Sequence, residues 1–169
     1  MNNKEVENIH NKLKERMRKE GFKEELFKTV AVGWLDVTEE YEKGDVSEEF
    51  VKKLRKLFET GPMIATLGFH ECEFCITEGK EPHKSSREKI LPDYKNKIEY
   101  IFPGMIFHYM EVHNYKPPKR FIEYVMREAN RMDEDLRILG EKLTVLRRTV
   151  TEPDEMEGKI SELKVMAGV

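Results

Sequence analysis

The chain has 169 residues, of which 37% are charged and 38% hydrophobic, with a formal net charge of −3. That length suits one domain with a real core plus an appendage. There is no run of about 18 apolar residues, so no spanning helix is expected, and the acidic balance argues against broad, charge-driven nucleic-acid binding.

The N-terminal "MNNKEVENIHNKLKERM" has no apolar h-region, so no signal peptide is expected. The expected compartment is the cytoplasm, where thiols stay reduced. Val6, Ile9, Leu13 and Met17 recur at steps of three and four, which predicts an amphipathic helix closed by Gly21. "LFKTVAVGWLDV" (26–37) has no helical period and reads as a helix end or a buried strand running into a turn. Asp45 or Ser47 can cap a second helix that turns Phe50, Leu54, Leu57 and Phe58 inward and ends at Gly61-Pro62. "MIATLGF" (63–69) is a strand candidate that leads into both cysteines.

Residues 77–98 are polar, carry Pro82, Ser85, Ser86 and Pro92, and read as a loop or loose hairpin. "KIEYIF" (97–102) is strand-like. Pro103-Gly104 then turns the chain into a helix carrying Met105, Ile106, Tyr109 and Met110. Pro117 and Pro118 break that helix and start the next. From there Ile122, Val125, Ala129, Met132, Leu136, Leu139, Leu143, Leu146 and Val150 alternate steps of three and four, a heptad seam. Glu128, Asp133 and Asp135 flank it early, Lys142 and Arg147 late. A parallel in-register pair sets like charge against like, so antiparallel packing is expected, between two chains or within one. Thr151-Glu152-Pro153 stops this helix, and Met156, Ile160, Leu163 and Met166 suggest a last short one.

The chemistry concentrates in "GFHECEFC" (68–75). Cys72 and Cys75 form C-x2-C, which lets two thiolates from one turn grip one ion. His108 and His113 follow on the helix after "IEYIFPG", giving C-x2-C-x32-H-x4-H overall. The residue types and both short spacings fit a Cys2His2 zinc site, built as an enlarged ββα arrangement. A redox pair would need a thioredoxin-like setting, and Glu73-Phe74 between the cysteines does not resemble one. His70 is an alternative ligand or a group hydrogen-bonded behind the ligands. Glu71 is the candidate general base if one coordination position holds water. Phe69 and Phe74 read as core, and His10 and His83 as exposed. The expected fold is α+β, mostly helical. A small zinc-stapled hairpin and helix carry flanking helices, with a globular unit at 1–117 and an interaction element at 118–169.

Two blocks resemble a small family of uncharacterised, mostly bacterial proteins. The first runs W-L-D, Y-x-x-G-x-V, E-F, then H-x-C-x-F-C. It occupies Trp34, Leu35, Asp36, Tyr41, Gly44, Val46, Glu49, Phe50, His70, Cys72, Phe74 and Cys75. The second, I-x-H-Y-x-x-x-H-x-Y-x-P-P-x-x-F, occupies Ile106, His108, Tyr109, His113, Tyr115, Pro117, Pro118 and Phe121. The resemblance covers about 33–126 and departs at 77–99, where this chain carries a longer charged insert. It implies that the Cys and His positions act as one unit and implies no substrate.

Three functions are open at this level. The first is a structural-zinc binding or scaffold module that self-associates or binds a protein through the 118–150 helix. Tyr115, Lys116, Lys119 and Arg120 of "NYKPPKR" would offer it a small contact patch, or Tyr115 packs inward. The second is a zinc-dependent hydrolase with an open metal position, and the third a nucleic-acid adaptor.

Overall fold

The structure, a computed structural model, describes residues 1–21, 27–60 and 63–149, with the backbone alone at 65–68 and 145–149. The expected break at Gly61-Pro62 and the last short helix lie outside these residues. In chain order the elements are α1 (Asn3–Lys19), β1 (Lys28–Ala31), α2 (Glu48–Glu59), β2 (Ile64–Glu71) and α3 (Glu73–Thr77). Then come β3 (Lys84–Asp93), β4 (Ile98–Pro103), α4 (Met105–Val112) and α5 (Lys119–Thr149). The fold is α+β and mostly helical, as the patterning predicts. No described helix is long and apolar enough to cross a membrane.

The sheet order is β1-β4-β3-β2, with β1 parallel to β4 and the other pairs antiparallel. Side chains alternate along β4 as strand geometry requires. Ile98, Tyr100 and Phe102 face the main core, built with Phe50, Leu54 and Phe58 of α2, Met105, Ile106 and Tyr109 of α4, and Phe121 and Val125 of α5. Ile101 faces the other way, into a smaller cluster with Val6, Ala31 and Trp34. Gly33 holds φ +80, and a Cβ there would fall 2.8 Å from the Ile106 side chain, so glycine lets the chain turn against α4.

Two expectations change. The 77–98 segment contains β3, a ten-residue strand paired on both sides, so the ββα arrangement gains a central strand. The predicted apolar stripe of α1 buries only Val6 well, while Ile9 and Leu13 stand more than half exposed. α1 docks instead through polar side chains. The Asn11 amide accepts from Thr29 N–H (3.1 Å) and donates to Thr29 C=O (3.4 Å), as a neighbouring strand would. Glu7 accepts from Ala31 N–H and Asn3 from Trp34 N–H. Lys14 donates to Phe27 C=O and Thr29 Oγ1 and pairs with Glu99. The helix thus covers the edge strand β1, whose unpaired backbone groups would otherwise face water or another chain.

Candidate metal centre

Cys72 is the N-cap of α3, directly after β2, and its N–H donates to the His83 carbonyl (3.0 Å). Cys75 sits one turn later, so both thiols lie on one face of the short helix. β3 and β4 then carry the chain back, and α4 presents His108. His113 is not within this helix, contrary to the expectation. It is the C-cap, with φ −108° and ψ 10°. Positions five apart on a regular helix point about 140° away from each other, so the pair converges where the helix ends. Asn114 follows with φ 53°, a left-handed conformation that asparagine tolerates, and turns the chain. Segment 41–44 holds that turn. Tyr41 Oη donates to His113 C=O (3.1 Å) and Gly44 N–H to Asn114 C=O (3.0 Å).

The result is a tight group. Donor atoms of Cys72, Cys75, His108 and His113 all lie within 4.8 Å of one another. Cys72 Sγ and Cys75 Sγ are 3.2 and 3.4 Å from His113 Nε2. His108 Nε2 is 3.4 Å from Cys75 Sγ and 3.2 Å from His113 Nε2. A tetrahedral ion with metal–S of about 2.3 Å and metal–N of about 2.0–2.1 Å sets S–N at about 3.5 Å and N–N at about 3.3 Å. These four separations match, so the four side chains form a Cys2His2 cluster that could hold a metal ion.

Both cysteines are free and buried, His113 is buried and His108 half-buried. Burial pushes the Cys72 thiol up to about 11. Burial, then the imidazoles of His83 and His113, holds His108 down at about 4. Burial lowers His113 as well. Neutral imidazoles are ready donors at pH 7, while the Cys72 thiol needs a cation to ionise, so metal uptake here releases protons.

The remaining candidates fall outside the group. His70 Nε2 lies 2.9 Å from Tyr109 Oη. Burial raises the Tyr109 phenol, so it stays a hydroxyl, and the two side chains share one hydrogen bond whose direction the His70 tautomer sets. Tyr109 in turn packs with tilted rings against both His108 and His113. Glu71 pairs with Lys84 at 2.7 Å on the surface. Phe74 covers His113 with a ring contact of 5.2 Å, but Phe69 is 71% exposed and not core. Tyr115 is buried, so "NYKPPKR" presents no tyrosine to a partner. His83 is an exposed loop residue, as expected, and it also stacks on His108 with centroids 4.8 Å apart and planes 9° from parallel. No spacing rule signals that contact. It follows from the pairing of Glu71 with Lys84, which sets residue 83 opposite Cys72.

No curated protein and no solved structure matches the chain. The family described as Domain of unknown function (DUF7919) matches residues 4–126, a stretch that holds all four donors, and the chain belongs to that family.

Proposed function

We propose that Cys72, Cys75, His108 and His113 hold one zinc ion in a closed tetrahedral shell, and that this zinc is structural. It would staple the β2–α3 turn to the end of α4 within a binding or scaffold module whose contact element is the long helix from residue 118. The observation that carries this reading is the donor set, two sulfurs and two imidazole nitrogens within 4.8 Å. Such an S2N2 set selects zinc among divalent metals. A reducing compartment such as the cytoplasm suits two free thiols.

A zinc hydrolase keeps three protein ligands and an open position. Here four donors converge, and Glu71, the candidate base, is engaged by Lys84. The structural role is therefore favoured.

Elemental analysis of the purified full chain beside Cys72→Ser and His108→Ala tests this. One zinc per chain, lost from both variants together with the fold, is the expected result. A metal-free, fully folded wild type overturns it.

A further inference from the structure

The heptad seam of α5 is used in two ways. Val125 and Ala129 are fully buried in the main core, with Ile122, Met126 and Met132 packed against it. Lys56 of α2 pairs with Asp133, close to the last of these contacts. Beyond that point Leu136 and Ile138 are exposed, and Leu139 and Leu143 are only half-buried. The sequence carries the seam on to Leu146 and Val150. We propose that this distal half of α5 pairs, antiparallel, with the same segment of a second copy of this chain, about a two-fold axis at residue 141. The proposal rests on the reading of α5 as the contact element and names its partner.

Three features select that partner and that register. First, the seam is self-complementary when reversed. In the sequence register around residue 141, position 136 falls opposite position 146 of the second copy and position 139 opposite position 143, with leucine at all four, so each a position faces a d position.

Second, the charges follow the same symmetry. The e position at Asp133 aligns with the e position at Arg147 on the other copy, twice per dimer. Asp133 meets Lys56 through Oδ1, and a carboxylate has two oxygens. A parallel pair would instead set Lys142 near Arg147, like against like. One contact opposes the dimer, since Lys142 faces its own copy beside the axis, a solvated like-charge pair of modest cost.

Third, Gly140 finds a reason. Glycine inside a helix is destabilising relative to alanine. A Cβ at this position would meet nothing within 4 Å, so the single chain does not require glycine there. In the antiparallel register residue 140 is the e position at the axis, opposite itself. Its missing side chain lets the two helices approach at the crossing.

The test uses the zinc-loaded full chain. Light scattering over a concentration series is expected to give twice the 20.1 kDa chain mass, reduced to one chain by Leu139→Asp with Leu143→Asp at unchanged zinc content. A short bis-maleimide is expected to join two copies of Gly140→Cys but not of Glu134→Cys, with wild type as the blank. Two copies of residue 134 would lie about 21 Å apart along the axis in this register, and side by side in a parallel one. Lys142→Ala is expected to lower the dimer dissociation constant severalfold.

Crosslinking of both cysteine variants overturns the antiparallel register. A wild type that stays at one chain mass at every concentration overturns the dimer and means that the seam is covered from within its own chain. A monomer that carries one zinc leaves the metal reading standing, and a dimer without zinc does the reverse.

Discussion

The Cys2His2 corner and the distal half of α5 place their interacting groups in opposite situations. At the corner, four donors from a helix cap, a helical turn, a second helix and its end converge in one chain, and Tyr41, Phe74 and Tyr109 close over them. Along distal α5, leucines repeat with the same regularity and Leu136 stands 46% exposed. The corner lies inside the stretch matched by the family, and α5 from residue 127 lies beyond it. Polar ligands can be buried without a second chain when an ion satisfies them together. An apolar stripe on a projecting helix has no such internal solution and calls for a surface to cover it.

The sharpest way to break this contrast is to damage each region separately. Structural zinc supplies on the order of 10–16 kcal/mol in small zinc domains, comparable with the roughly 5–15 kcal/mol by which whole domains are stable. Cys72→Ser is therefore expected to abolish both bound zinc and the cooperative thermal transition. Leu139→Asp with Leu143→Asp is expected to preserve both. Calorimetry that finds the two variants equally unfolded would erase the distinction between the regions.

Acid acts on the corner through its imidazoles. Folded His108 is held at about 4 by burial and by the neighbouring His83 and His113, against an ordinary value of 6.5. Between those values the unfolded chain binds more protons than the folded one, so stability rises with pH there. It is expected to be fully present above pH 6.5 and to fall as the pH drops toward 4. Thermal melts across that range check the sign, and a midpoint that rises on acidification contradicts it.

Smaller effects sharpen the picture of what supports the corner. Asn11→Ala removes the amide that pairs with both backbone groups of Thr29 and leaves them without it, at an expected cost of about 1–3 kcal/mol. Chemical denaturation with unchanged zinc content is the readout. Tyr109→Phe deletes one hydroxyl bond to His70, worth about 1 kcal/mol, with zinc retained. Loss of zinc in that variant would make the Tyr109–His70 pair part of the ligand support. Phe69→Ser, on an exposed side chain, should stay within about 0.5 kcal/mol of wild type.

Much of the corner was legible because metal chemistry demands particular residue types at short spacing. C-x2-C and H-x4-H each announce a local pair, and the structure brings the two pairs together. The intervening 32 residues hid β3. Its sequence "KSSREKILPD" lacks a clean apolar alternation, and Lys89 is buried by reaching the Thr60 carbonyl rather than by being apolar. α1 was legible as a helix but not in its docking face. Its target is a strand edge, which needs amides and charges, so Ile9 and Leu13 turn outward. The α5 seam reads as one uniform repeat, yet its first part is shared out among the core residues of α2 and β4. Periodicity reports that a face is apolar, not which surface covers it.

Zinc-edge X-ray absorption on the full chain tests the closed four-ligand shell most directly. Two sulfur scatterers at about 2.3 Å and two imidazole nitrogens at about 2.0–2.1 Å are expected. A shell with one of those imidazoles replaced by a water oxygen would contradict it and return the site to an open, hydrolase-like position.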